Sequence, residues 1–335
     1  MSQWSAVKKI YQMAKKLHQQ KGGFTLGYFF DGIICGYRHE ASPENYFVLR
    51  FYELSDKERG EYLTSGRSSK ADKALNRHMT DDENKIMSHK HLLYERFSCG
   101  IKRKYLFVPE VGFEEFCHFL DANPVFIKKP DRGIMGKNIE KMNSREIKDK
   151  KALYEECQKD CFLIEQVIKQ HEVLENITPG CVNSIRINAA RGQKGNIRLV
   201  GVCLKCGGAG ATTDNFHSGG IAYPVDLESG KVMGPGRNNA DIKDYERHPG
   251  SEVYMIGLQI PYWIEVKEMV KKMMENMPAL GYVGWDIAIR EDGPEVIEGN
   301  CHWPGGNIIQ FDKKGKYPII KECLEEAKCQ EGKIF

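Results

Sequence analysis

No stretch of the 335-residue chain is apolar for long enough to cross a bilayer as a helix. The most apolar early segment, residues 28–37, is interrupted by Asp31, and no continuous apolar core of a secretory signal precedes it. Charge of one sign is missing as well: 49 Lys plus Arg face 46 Asp plus Glu, a net +3. So small an excess does not imply a nucleic-acid-binding protein, although a cationic cleft for phosphates fits inside it. Internal repeats and low-complexity tracts are absent. Cysteine is not scarce, but a disulfide framework is: the eleven cysteines are odd in number and irregularly spaced, which points to free thiols in a reducing, cytoplasmic setting. Cys203-x-x-Cys206 lacks the second pair that a four-ligand structural zinc needs. The Asn176-Ile-Thr178 sequon has no secretory context. What remains, 41% hydrophobic and 28% charged residues, is a globular balance over a length that suits one large or two to three modest domains.

Trp4, Val7, Tyr11, Ala14 and His18 recur at helical spacing, with Lys8, Lys9, Lys15 and Lys16 between them. The pattern predicts a basic amphipathic helix packed by that stripe on its own domain, a membrane-surface helix being the alternative. Alternation of Phe47, Leu49 and Phe51 predicts a strand. Ser55 with Glu58, and Thr80 with Glu83, are capping-box patterns opening helices over about 56–63 and 80–97. The polar run 64–72 reads as a loop, and 111–120 as a helix stopped near Pro124. Beyond Pro124 the texture is that of strands: 125–129, 161–168, 184–190, 197–205, 220–225, 282–290 and 295–298, with helices over about 144–159, 261–277 and 318–327. This is an α+β chain with an antiparallel sheet in its C-terminal half.

Three segments carry chemistry. In Val125-Phe-Ile-Lys-Lys-Pro-Asp-Arg-Gly-Ile-Met-Gly-Lys-Asn-Ile139 a strand ends in Lys128 and Lys129 and runs into a loop with Gly133 and Gly136. Glycines admit backbone N–H groups to phosphate oxygens and lysine supplies a point charge, although the Walker A spacing is absent. The loop over 131–138 is expected to close as a lid once phosphates offset its basic groups. The second segment, Phe162 to Ile168 followed by Lys169, Gln170, His171 and Glu172, is an apolar strand bearing Glu165 that leaves its sheet, a plausible edge for a purine. The third is a hairpin. Gly284-Trp-Asp286 and Glu298-Gly-Asn300 stand on strands joined through Asp292-Gly293, a strong turn signal. Folding back brings Asp286 to Glu298, and Asn300, two residues on, shares the face of Glu298: a set of hard oxygen donors suited to Mg²⁺.

The order of lysine strand, glycine loop, Glu-bearing strand and carboxylate hairpin resembles the ATP-grasp superfamily, and most closely its sugar-transfer-associated branch. Glu165-Gln-Val-Ile-Lys-Gln-His171, Val182-Asn-Ser-Ile-Arg186, Asp214-Asn-Phe-His-Ser-Gly-Gly220, Gly284-Trp-Asp286, Glu298-Gly-Asn300, Trp303 and Gln310 carry the likeness, which runs from about residue 46 to 310 and leaves 1–40 uncovered. The resemblance implies an ATP-grasp fold, two α+β lobes gripping ATP behind a mainly helical region: residues 1–80 helical, 81–168 the smaller lobe, 169–335 the larger lobe with the magnesium site. It implies that Lys129, rather than Lys128, and Lys90, rather than Lys85, meet the phosphates. Gly133 and Gly136 would line them. Glu165 would lie at the adenine beside the main chain of Val167 and Ile168, and Glu172 at the ribose. Asp286, Glu298 and Asn300 would hold magnesium, Arg186 and Lys205 would face the transferred phosphoryl group, and Asn215, His217, Gly219 and Gly220 would hold the acceptor. ATP and Mg²⁺ are the implied cofactors. A carboxylate and an amine, sugar-linked ones among them, are the implied substrates of a ligase; a kinase on the same fold or a non-catalytic nucleotide-binding partner of a glycosyltransferase are the alternatives.

Overall fold

The computed structural model describes residues 3–133, 138–192, 195–241 and 243–331. Helices open the chain: α1 (Gln3–Lys21), α2 (Thr25–His39), α3 (Pro43–Val48), α4 (Asp56–Gly60), α5 (Ser65–Leu75), α6 (Asp81–Ser88) and α7 (Lys90–Arg96). A small lobe follows: β1 (Tyr105–Phe107), α8 (Phe113–Ala122), β2 (Val125–Pro130), β3 (Glu140–Asn143), α9 (Lys150–Lys159) and β4 (Phe162–Gln166). After α10 (Glu172–Glu175) comes a larger sheet of β5 (Ser184–Arg191), β6 (Ile197–Cys206), β7 (Ile221–Pro224), β8 (Tyr282–Arg290) and β9 (Gly293–Asn300). Helix α11 (Trp263–Asn276) precedes β8, and α12 (Tyr317–Glu331) closes the described chain. Among the described residues the strands form two sheets, ordered β1-β4-β2-β3 and β7-β6-β5-β8-β9, with every neighbouring pair antiparallel.

Alternation along the strands of the larger sheet decides where the site lies. Ile185, Ile187, Val283, Trp285 and Ile287 point to one face, where Tyr94 of α7, Phe97 just after it, and Val266 and Val270 of α11 cover them in a single core. Phe97 meets Trp285 edge to face at 5.3 Å. The same alternation turns Ser184, Arg186 and Asn188 of β5, and Asp286 of β8, to the opposite face. On that side Leu17, Phe51, Leu63, Ile309 and Ile320 form a second core with Ala190, Val200 and Tyr282. A third core, with Phe116, Phe126, Tyr154 and Ile164, belongs to the small sheet and its two helices. The division of the chain at residues 80 and 168 therefore follows sequence order more closely than packing: the N-terminal helices and α12 share the core under the site, and α6 and α7 cover the opposite face of the larger sheet.

Both expected capping boxes are present, with Ser55 and Glu58 opening α4 and Thr80 and Glu83 opening α6. Four expectations need correction. The alternating Phe47, Leu49 and Phe51 are not a strand. Tyr46 to Leu49 are all buried, and Ser42, with Pro43 behind it, caps a short helix that passes into the 3-10 turn Phe51–Glu53. The polar run 64–72 is helical, because α5 buries Ser68, Ala71, Asp72 and Leu75 at helical spacing. The helix over 80–97 breaks at His89, whose extended backbone ends α6 and starts α7. On α1 the buried stripe is Ile10, Ala14 and Leu17, which turns Trp4, Val7 and Tyr11 outward.

Candidate active site between the lobes

Adjacent residues on a strand face opposite ways, and the two lysines at the exit of β2 do so. Lys128 Nζ turns toward α9, 2.5 Å from Glu156 Oε1, and lies over the Phe162 ring. Lys129 Nζ turns toward the larger lobe, donating to Glu165 Oε1 at 2.6 Å and to Tyr94 Oη at 2.8 Å. Lys90, the first residue of α7, donates to the carbonyls of Pro130 at 3.1 Å and Asp131 at 3.3 Å, whereas Lys85 stays at the surface with Asp82. The fold thus brings Lys90 and Lys129 together and leaves Lys85 and Lys128 outside. Burial pushes both ammonium groups down in pKa; the charge of Lys129 adds to the fall at Lys90, while Glu165 opposes it at Lys129. Two confined cations of this kind gain from a polyanion placed between them. Gly133 follows at the start of the loop; Gly136 lies outside the described residues.

The Glu165 carboxylate is taken up by three partners within the protein. It accepts from Arg103 Nε at 2.8 Å, Lys129 Nζ at 2.6 Å and Tyr94 Oη at 3.1 Å. Burial disfavours the ion, but Arg103 and Lys129 outweigh it and hold the carboxyl at about 2. The side chain therefore orients Lys129. Val167 and Ile168, half-buried just beyond β4, offer only backbone and apolar groups to a base, and the Glu172 side chain is exposed at the start of α10. Arg103 itself reaches across to the larger sheet, donating from Nη1 to Glu295 Oε1 at 2.7 Å and to the Val296 carbonyl at 2.9 Å.

On the larger sheet the register sets Arg186 beside Asp286, Asp286 beside Glu298, and Ser184 beside Lys205. A β-bulge follows Asp286, where pairing shifts from Asp286–Glu298 to Ile287–Val296; such a bulge re-aims side chains at the end of a ladder. Arg186 holds Asp286 through two 2.7 Å bonds, from Nε to Oδ1 and from Nη2 to Oδ2, and Lys205 Nζ lies 3.1 Å from Oδ1. Burial opposes ionisation of Asp286, yet Arg186 and Lys205 hold its carboxyl far below the usual range. Glu298 responds in the other direction: burial first, then the neighbouring Asp286 carboxylate, raise it. Asn300 Nδ2 donates to Glu298 Oε1 at 3.1 Å.

These residues fit a divalent cation. Burial and the adjacent Asp286 carboxylate disfavour the Glu298 anion, and a hard cation between the two would relieve that repulsion. Asp286 retains lone pairs beyond the two that Arg186 occupies, because an ionised carboxylate offers about four. Gly305, at φ 73°, keeps the neighbouring loop close: a Cβ there would stand 2.4 Å from Arg186 Nη1.

The glycine-flanked turn is tied to this site by Asp214, which sequence reading did not single out. Asp214 accepts from the Ser184 hydroxyl and lies 3.5 Å from Lys205 Nζ. Asn215 Oδ1 accepts from His217 N at 3.0 Å, and the half-exposed His217 ring lies 3.7 Å from Glu44. Gly219 has φ 94°, and a Cβ on Gly220 would collide with the Asp214 carbonyl at 2.6 Å. Cys203 and Cys206 are buried, free thiols, and burial pushes Cys203 up to about 12.

Also unforeseen is the cluster at Asp131. His89 Nδ1 lies 2.6 Å from Oδ2, His91 Nδ1 lies 2.8 Å from Oδ1, and the His91 backbone N–H donates to Oδ1 at 2.9 Å. Two histidines and a carboxylate form a ligand set for a transition metal, but the surroundings oppose a cation. Lys90 stands between the histidines, and the carboxylate occupies the positive first turn of α7. The cluster acts as a staple that fixes the start of α7, and hence Lys90, to the exit of β2.

Two lobes with antiparallel sheets, a lysine pair on one and a carboxylate hairpin on the other, define the ATP-grasp fold. The family model of sugar-transfer associated ATP-grasp proteins matches residues 112–322, and the chain belongs to that family. Among solved structures it is similar to N5-carboxyaminoimidazole synthetase from Staphylococcus aureus complexed with ADP, at 13% identity over 65% of this chain and 45% of that one, TM-score 0.41. It is similar to N5-carboxyaminoimidazole ribonucleotide synthetase from Thermotoga maritima, at 11% identity over 72% and 50%, TM-score 0.42. The ATP-grasp ligase PsnB complexed with minimal precursor, Mg and ADP matches at 14% identity over 83% and 72%, TM-score 0.42. The chain spans about half the length of the two synthetases. No curated protein matches it.

Proposed function

We propose that the chain is an ATP-dependent carboxylate–amine ligase working through an acyl phosphate, on a sugar acid or amino acid used in cell-surface polysaccharide assembly. One observation carries this reading: Arg186 and Lys205, both buried, converge on the Asp286–Glu298 pair with no activated side-chain nucleophile among them. The Ser184 hydroxyl donates to Asp214, and the Cys203 thiol is buried with a raised pKa. Phosphoryl transfer here goes directly to a substrate.

Lys90 and Lys129 hold the phosphates, and Glu165 keeps Lys129 in place. Asp286, Glu298 and Asn300 would hold magnesium, which would supply charge neutralisation to the phosphates. The substrate carboxylate attacks the γ-phosphorus, the bond to the β-phosphate oxygen breaks, and ADP leaves. Arg186 and Lys205 stabilise charge on the oxygens of the transferred group. An amine then attacks the acyl carbon, loses a proton and expels phosphate, leaving an amide. The turn at Asn215, His217, Gly219 and Gly220 forms the acceptor side, and free thiols suit a cytoplasmic setting. The sugar-transfer association of the family supports the substrate class by analogy.

The test is ADP release over a panel of sugar acids crossed with amines, with hydroxylamine added in parallel. A hydroxamate formed at the expense of amide is expected. A stable phosphoester without hydroxamate would replace the ligase by a kinase acting on a hydroxyl.

A further inference from the structure

The α1–α2 hairpin buries Ile10, Ala14, Leu17 and Cys35 and leaves most of its larger apolar side chains exposed. Ile10, Ala14 and Leu17 of α1 pack inward, and Gly32 of α2 lets the two helices close up, since a Cβ there would lie 3.2 Å from Ile10. Asp31 fixes α2 to the body through two 2.8 Å bonds from Arg59 and one of 2.7 Å from the Tyr46 hydroxyl. The outward faces are apolar. Trp4, Val7 and Tyr11 line α1; Leu26, Phe30, Ile33 and Tyr37 recur on α2 at i, i+4, i+7 and i+11; Trp4 is 86% exposed and Tyr37 91%. The two stripes meet, because Tyr11 contacts Phe29 at 5.9 Å and Phe29 contacts Phe30 at 5.3 Å. A continuous apolar surface of this kind on a folded protein marks an interaction site.

Its charge says what kind. Helix α1 contains lysines at 8, 9, 15, 16 and 21 and no aspartate or glutamate. Lys8 and Lys15 are exposed and fall at helical spacing with Trp4 and Tyr11, so cations alternate with aromatics along one face. Asp31, the acidic residue of α2, is already paired with Arg59. We infer that this hairpin seats the protein on an anionic lipid bilayer, with Trp4, Phe30 and Tyr37 entering the headgroup region and Lys8 and Lys15 meeting lipid phosphates. A second copy fits less well: a two-fold contact sets each patch against its own like, and the lysines would face each other. The inference is independent of the reaction assigned to the cleft.

Flotation of the full chain with vesicles of zwitterionic phosphatidylcholine, with and without 30% phosphatidylglycerol, tests it (about a third anionic lipid, as in charged leaflets). Binding is expected only to the anionic vesicles and should weaken as salt rises, since the Debye length shrinks from about 10 Å at 0.1 M to about 3 Å at 1 M. The double variant Lys8→Glu, Lys15→Glu should lower the bound fraction at least ~tenfold, as should Phe30→Ser with Tyr37→Ser. All four positions are solvent-facing, so circular dichroism and ADP release without vesicles should be unchanged. Equal binding to both vesicle types, or binding that survives either double variant, overturns the inference. So does a concentration-dependent dimer in light scattering that the Phe30–Tyr37 variant abolishes, which would assign the surface to a second copy. Failure to float at low salt while retaining full ADP release overturns it without touching the ligase reading.

Discussion

Asp286 and Glu298 lie on paired strands, yet their environments push them apart, and substitution separates their roles. Glu298 is raised by burial and by Asp286, so a neutral amide costs less there than at Asp286, whose carboxyl is lowered. Glu298→Gln should therefore preserve the fold, with the melting temperature within about 3 °C of wild type, and abolish magnesium-dependent ADP release. Asp286→Asn should abolish release and also destabilise the protein by about 3 kcal/mol, because Arg186 and Lys205 lose the anion between them. Scanning calorimetry with a coupled ADP assay distinguishes the two; wild-type turnover in Glu298→Gln at limiting magnesium would remove it from the metal set. The lysines divide in the same way. Lys129→Ala should weaken ATP binding by at least ~tenfold by calorimetric titration, and Lys128→Ala by less than ~twofold, since Lys128 is committed to Glu156 on the other face. Alternation along one strand made this contrast readable from sequence, and the Asp-Gly turn made the carboxylate hairpin readable. Asp131, Arg103, Glu295 and Asp214 were not readable, because each acts on partners from distant segments: His89 and Asp131 are 42 positions apart, Arg103 and Glu295 192.

At the scale of elements, β2 and the strands from β4 onward were legible from their apolar runs, whereas β3 (Glu140–Asn143), four residues with two charged side chains, was not. Nor was helix α5. It buries Ser68 and Asp72 beside Ala71 and Leu75, so its buried face carries little hydrophobic signal, and its polarity imitates a loop. Phe47, Leu49 and Phe51 misled in the opposite sense, since a short helix buried all round shows no period at all. The break between α6 and α7 has no glycine or proline to announce it; the carboxylate that organises the start of α7 comes from Asp131. What holds α5 in place is Asn76 at its end. The side-chain oxygen accepts from Gly281 N at 2.7 Å and Tyr282 N at 2.9 Å, and Nδ2 donates to the Tyr282 carbonyl at 2.8 Å. The amide thus completes the start of β8, the strand that carries Asp286. Asn76→Ala strands these backbone groups and should cost about 2 kcal/mol in urea unfolding, with Asn76→Asp intermediate because it keeps the acceptor. A loss below about 0.5 kcal/mol in the alanine variant would mean that the strand start is held by other contacts.

Across the whole molecule, the two lobes are joined through a buried ionic junction: Arg103 links Glu165 of the small sheet to Glu295 of the larger one, and Lys129 completes it. Its pH dependence has a definite sign. The Glu165 carboxyl is held at about 2 in the folded protein against an ordinary 4.5. Above pH ~4.5 the unfolded carboxyl is ionised too and the contribution is complete; as pH falls toward ~2 the unfolded chain binds a proton first, and the contribution is lost. Burial lowers Lys129 even with Glu165 beside it, whereas the Glu165 carboxyl is the group that titrates across this acid window. The full span corresponds to about 3 kcal/mol. Many carboxylates titrate in this range, so the measurement is a difference: urea unfolding of wild type and Glu165→Gln between pH 7 and 3. The variant should be about 3 kcal/mol less stable at pH 7, since Arg103 and Lys129 lose their shared anion, and the gap should narrow below pH 4. The small lobe, whose core is separate, should lose amide protection first. A gap that stays constant down to pH 3 would show that Glu165 contributes through packing rather than charge, and that the lobes are held together elsewhere.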